Sequence, residues 1–190
     1  MMLRNTLSLI LVERQLRITK VSNDTGISRT TLTALSQNSN KMIQMETINT
    51  LCNYLKLSPS DLFEYVPFDF SYSAGIDKEF PQTDNSYSEY ELSGFINIKD
   101  RNGKKNTISF AGNCLFAPFA GHTGNPLVSV EMKPRESKEE AVLKQYVNKL
   151  SVSFLTDVKQ QFSSVILKAA TDHLNIKETV DPDIKITFPK

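Results

Sequence analysis

The side chains able to do covalent or metal chemistry are few and poorly placed for it. Cys52 and Cys114 lie far apart and outside any CxxC spacing, which excludes a disulfide scaffold or a zinc knuckle and fits a reducing compartment. His122 and His173 lack ligand-type neighbours at i+3 or i+4, and Asp172 points to a different side of its helix from His173; no metal site is expected. The stretch from Gly121 to Pro126 has neither Walker nor Rossmann spacing, so it is no phosphate cradle. Ser129 and Lys133 stand on one face of one strand, too local for a Ser-Lys dyad. The reading is of a chain with no catalytic residue, no metal and no cofactor.

A different chemistry is written in ITKVSNDTGISRTTLTALSQNSNK, residues 18–41. Gly26 supplies the backbone freedom for a sharp turn that a side chain at positive φ would oppose. Ser22 is small enough to let two helices approach. Val21, Ile27, Leu32 and Leu35 form an apolar seam between them, and Ser28 is a good N-cap for the second helix. Together these residues specify two short helices meeting at an angle, a helix-turn-helix.

With TGISRTTL at its centre and IQMETINTLCNYLKLSPSDLF following, the segment resembles the lambda-repressor/Cro-type, or XRE-like, helix-turn-helix regulators over roughly residues 3–65. The resemblance implies a partner, double-stranded DNA, and a recognition helix starting at Ser28 with its N-terminal end toward the bases of the major groove. Carried over position by position, Arg29, Thr30, Thr33 and Ala34 are the implied base contacts. Arg29 has two open readings, a fork on guanine O6 and N7 or a clamp on phosphate. Thr19, Lys20, Ser28, Thr31, Gln37, Asn38 and Lys41 are the implied phosphate contacts. Three positions depart from the family pattern: Ile18 stands where a phosphate-binding Gln is usual, Ser22 where a small Ala is usual, and KMIQM (41–45) where the loop often holds Pro.

The elements that must hold this motif are set by the period of the apolar residues. Residues 1–65 read as five short helices marked by Leu3, Leu7, Ile10 and Leu11, then Val21 and Thr25, then Leu32 and Leu35, then Ile48, Leu51, Cys52 and Leu55, and last Leu62 and Phe63 after Pro59. Residues 67–86 carry Pro67, Gly75 and Pro81 and read as a linker or arm, with the alternating Phe68, Phe70 and Tyr72 allowing part of it to dock as an edge strand. Alternation then predicts strands over 90–99, 106–112, 127–132 and 184–188, with a hairpin turn at Asn102-Gly103. Between the last two strands, Leu143, Val147, Leu150, Phe154, Val158, Phe162, Val165 and Ala169 advance at helical spacing. As core, that stripe packs on the sheet of its own chain; as interface, part of it pairs with another copy, because Leu155, Ile166 and Leu167 fall outside the main stripe.

The fold class expected is α+β: an all-α, lambda-repressor-like domain over 1–66, the linker or arm over 67–86, and an α+β domain over 87–190 for dimerisation or sensing, built on a small antiparallel sheet and a long amphipathic helix. Charge segregates along the chain. Residues 1–66 hold seven Lys/Arg against five Asp/Glu, and residues 67–100 hold two against seven, a change of sign of the kind seen between a nucleic-acid module and its linker. No run of 18 apolar residues exists, so no membrane-spanning helix is expected, and the cytoplasm is the expected location.

The function these readings favour is a sequence-specific regulator, a repressor acting by operator occupancy, working as a homodimer with room for an unknown effector or protein partner at its C-terminal half. The alternative is an antitoxin-like or phage-defence interaction protein that autoregulates through the same helices. A self-cleaving LexA-like repressor, cut at Ala74-Gly75, ranks below both.

Overall fold

The structure is a computed structural model that describes residues 2–40, 42–81, 87–118, 121 and 124–189. It divides into two compact units, Met1–Pro67 and Phe68–Lys190.

The first unit holds five helices, α1 (Leu7–Glu13), α2 (Ile18–Thr25), α3 (Arg29–Ser36), α4 (Met45–Leu55) and α5 (Pro59–Leu62), framed by strands β1 (Met2–Asn5) and β2 (Phe63–Val66). Leu7, Leu11, Val21, Leu32, Leu35, Leu51, Leu55 and Leu62 bury together as its core. The strands correct the sequence reading, which put Leu3 in the first helix and Phe63 in the last. β1 pairs antiparallel with β2 from Met2↔Val66 to Asn5↔Phe63, so the two ends of the unit close on each other. The reason is local: the Asn5 side-chain oxygen accepts from the Leu7 backbone N–H at 3.1 Å, which starts the helix after Asn5 rather than at Leu3.

The second unit is a five-stranded sheet in the order β3-β4-β5-β6-β7, made of β3 (Phe68–Glu79), β4 (Ser88–Asp100), β5 (Lys105–Ala117), β6 (Leu127–Pro134) and β7 (Asp181–Ile186), with α6 (Ser137–Val147) and α7 (Val152–His173) between β6 and β7. Residues 68–79 take the edge-strand course that the alternating Phe68, Phe70 and Tyr72 allow, and over a longer stretch, pairing with β4 from Phe68↔Asp100 to Glu79↔Tyr90 through Gly75. Residues 82–86 of the expected linker lie outside the described residues. The sheet is also mixed rather than antiparallel, because β7 runs parallel to β6. A parallel neighbour requires a crossover, and α6 and α7 supply it.

The hairpin between β4 and β5 closes on Asp100 and Lys104, whose backbones bond at 3.0 Å. Gly103 alone takes the left-handed conformation, at φ 82°, and the Asp100 carboxylate accepts from the N–H groups of Asn102 and Lys104. This is a three-residue loop with glycine at its last position, not a two-residue Asn-Gly turn.

α7 is capped by Ser151, whose hydroxyl accepts from Phe154 N–H at 3.3 Å. Its buried residues are Phe154, Val158, Phe162, Ile166 and Ala170. The stripe therefore drifts by steps of four, and Ile166, expected at an interface, is fully inside. Phe162 seats against Gly94, where an added Cβ would meet its ring at 2.8 Å, and packs with Phe110 and Tyr72.

Candidate nucleic-acid interface

The turn between α2 and α3 is built as its residues require. Gly26 ends α2 in the left-handed conformation at φ 75°. The Ser22 hydroxyl donates to the Ile27 carbonyl at 2.7 Å, so Ser22 does more than leave room: it ties α2 to the turn. The Thr25 hydroxyl donates to the Val21 carbonyl at 2.6 Å and accepts from Ile27 N–H at 3.3 Å. Ser28 then caps α3 by accepting from Thr31 N–H. Leu32 and Leu35 point into the core, so Thr30, Thr33, Ala34 and Gln37, spaced i, i+3, i+4 and i+7, share the opposite face.

Arg29 and Thr30 are exposed at the start of that helix, and Gln37 is exposed at its end; Thr31, Thr33 and Ala34 are half-buried. Thr19 is exposed in the first turn of α2. Lys20 is exposed but engaged, with Nζ at 3.1 Å from Asp24 Oδ2, while the Tyr54 hydroxyl donates to the same oxygen at 2.6 Å. The hydrogen bond from Tyr54, and after it that from Lys20, holds the Asp24 carboxyl below its ordinary range. Its bond to Asp24 raises Lys20 in turn. The trio links α2 to α4. Ser28 is occupied by its cap and by the hydroxyls of Thr30 and Thr31. Lys41 lies outside the described residues.

Asn38 has another employment than phosphate. Its side-chain oxygen accepts from the Asn5 backbone N–H at 2.8 Å and the Asn5 amide at 2.9 Å, and its own amide donates to the Asn5 carbonyl at 3.1 Å. Asn5, itself buried, also donates to the Leu35 carbonyl at 2.8 Å. The pair fastens β1 to the C-terminal end of α3 and so fixes the helix that carries Arg29. The clamp engages the Asn38 side-chain oxygen and one of its two amide N–H groups, leaving the second N–H for another acceptor. The left-handed backbone at Asn38, φ 52°, is the conformation a short amide side chain tolerates.

Three features beside α3 escape the sequence reading. Arg17 is exposed at the N-cap of α2, next to the first turn that holds Thr19; its signal is a further basic residue just before the helix. A cleft of about 490 Å³ runs between the turn and the start of α4, lined by Ser28, Thr31, Asn40, Gln44, Glu46 and Thr47 among others. Glu46 places a carboxylate there beside the donors of Gln44 and Thr47. Met42 and Met45 stand 88% and 77% exposed beside it, apolar tips next to the polar face.

The remaining chemistry-bearing side chains are placed elsewhere. Burial pushes the Cys114 thiol up to about 11, which keeps it protonated. Cys52 is buried in the first unit's core. Ser129 reaches toward Asp183 at 3.5 Å, and Ala74 and Gly75 are paired with Gly94 and Ser93 inside β3. His173 stands edge-on to the Tyr90 ring, His122 lies outside the described residues, and no group of three metal-ligating side chains occurs among the described residues. No helix among them is long and apolar enough to cross a membrane.

Residues 6–67 match the family model of the Cro/C1-type HTH DNA-binding domain. A solved protein from Bacteroides fragilis, named for an inferred DNA-binding role, aligns at 19% identity with a TM-score of 0.31, covering 33% of this chain and 100% of its own. At that score the likeness bears no weight, and the family match stands on its own. No curated protein matches the sequence. Residues 6–67 are accordingly a helix-turn-helix DNA-binding domain of the Cro/C1 type.

Proposed function

We propose that the protein is a transcriptional repressor that reads a specific operator with α3 and acts by occupying it, making and breaking no bond. The observation that carries this reading is the exposure of Arg29 and Thr30 on a helix whose other face is buried through Leu32 and Leu35. Arg29 is the base reader, pairing with guanine O6 and N7. Thr30, Thr33 and Ala34 offer short side chains to thymine methyls. Thr19, Lys20, Ser28, Thr31, Gln37 and Asn38, with Arg17 added, supply phosphate contacts. Lys20 reaches phosphate by exchanging its Asp24 partner, so its contact is weaker than that of a free lysine. The repressor works in the cytoplasm as a homodimer, because one recognition helix covers only half of a two-fold site.

Selection of bound duplexes from a random pool by the full-length protein tests this reading. A repeated, two-fold symmetric motif is expected, with binding that falls steeply as salt rises. A pool that emerges without sequence preference overturns it.

A further inference from the structure

The two edges of the five-stranded sheet are treated differently. β7, at one edge, is six residues long, carries Pro182 with no N–H to offer, and sets Lys185 against Asp183 at 3.1 Å. Those are the devices by which sheet edges refuse further strands. β3, at the other edge, is twelve residues long. Its far end is closed by the irregularity between Ile76 and Lys78 and by Asp77, Lys78 and Glu79. From Phe68 to Gly75 it carries one charged side chain, Asp69, and no proline. No strand among the described residues pairs with its outer side. Ser71 and Ser73 are exposed on one face of it. On the other face Phe70 and Tyr72 are half-buried and stack with ring centroids 6.5 Å apart and planes 4° from parallel.

We infer that two copies of this chain join antiparallel along β3, about a two-fold axis at Ser71, into one continuous sheet. This stretch suits itself as a partner. With the axis at Ser71, residues 68–74 pair with their counterparts: Phe70 faces the partner's Tyr72, Tyr72 faces the partner's Phe70, and Asp69 faces the partner's Ser73. Cross-strand aromatic pairs of this kind stabilise a ladder. Moving the axis to Ser73 sets Asp69 against the partner's Asp77, two like charges directly opposite, and moving it to Tyr72 sets Phe70 against the partner's Ala74 and Phe68 against the partner's Ile76. The joint deepens the repressor reading, which needs two copies to fill a two-fold operator. It is measured without DNA, so either can fail while the other stands.

The experiment is sedimentation of the full-length protein at micromolar concentration, with three variants at the axis. The wild type is expected at twice the 21.4 kDa chain mass. Ser71→Lys places two ammonium groups opposite each other and is expected at the single-chain mass. Mixing it with Ser71→Glu restores the doubled mass, since opposite charges then meet across the axis. Ser71→Cys, a nearly isosteric change, cross-links on mild oxidation; the native thiols Cys52 and Cys114 are both buried and leave no background. A wild type that stays at the single-chain mass overturns the inference. So does a doubled mass that Ser71→Lys leaves intact and Ser71→Cys fails to cross-link.

Discussion

Two glycines, one in each unit, show how differently the halves of this molecule are specified. Gly26 takes φ 75° with nothing within 4 Å of where a Cβ would sit; what it needs is a backbone conformation. Gly112 has no such φ, but a Cβ there would lie 1.9 Å from the Glu131 carbonyl oxygen; what it needs is room for a neighbouring strand. The turn that carries α3 is fixed by choices made within a few residues, such as the Ser28 cap and the Ser22 bond to Ile27. The second unit is fixed by pairs far apart in the chain, such as Gly94 with Phe162. Local rules are readable in order along a sequence; distant pairings are not.

Gly112→Ala should therefore produce the largest effect. The clash is with backbone, which cannot swing away, and a cost of about 3 kcal/mol is expected. Hydrogen exchange should show protection lost along β5 and β6 while α3 and α4 keep theirs. Equal loss in both units would break the comparison, because the chain would then unfold as one body.

Gly26→Ala should be milder, about 1 kcal/mol, since only the left-handed backbone is strained. Its destabilisation should appear in chemical denaturation of the first unit. A change as large as that of Gly112→Ala would mean that Gly26, too, is held by contacts.

The smallest effect concerns the trio joining α2 to α4. The Asp24 carboxyl is held low in the folded protein, so its contribution is present above the ordinary aspartate range and is lost as pH falls through the lowered value. Lys20 is raised, so its share is present below the ordinary lysine range and is lost as pH rises through the raised value. Melting of the wild type and of Asp24→Asn should differ by a constant amount between those limits, and the difference should vanish at the acid end. A difference that grows through neutral pH would locate the coupling elsewhere.

The same contrast explains what is legible in the sequence. The helix-turn-helix can be read because Gly26, Ser28 and the seam of Val21, Ile27, Leu32 and Leu35 each obey a rule of their own. The clamp role of Asn38 is not legible locally, because only its partner Asn5, far back in the chain, reveals it. β1 hides for a related reason, since Leu3 and Leu7 fit helical spacing until β2 arrives to pair. The start of β3 is legible in its alternating aromatics, but its full length is not, because Pro67 and Gly75 signal breaks and the extent of the strand depends on β4. The parallel placement of β7 is a property of the crossover and of no residue within it.

Binding of the selected operator, and of operators changed one base pair at a time, by wild type and Arg29→Ala tests the central claim most directly. The prediction is a loss of discrimination at one base pair per half-site of about 1–3 kcal/mol, with preferences elsewhere retained. Uniform weakening across every duplex would make Arg29 a phosphate clamp and contradict direct reading by α3.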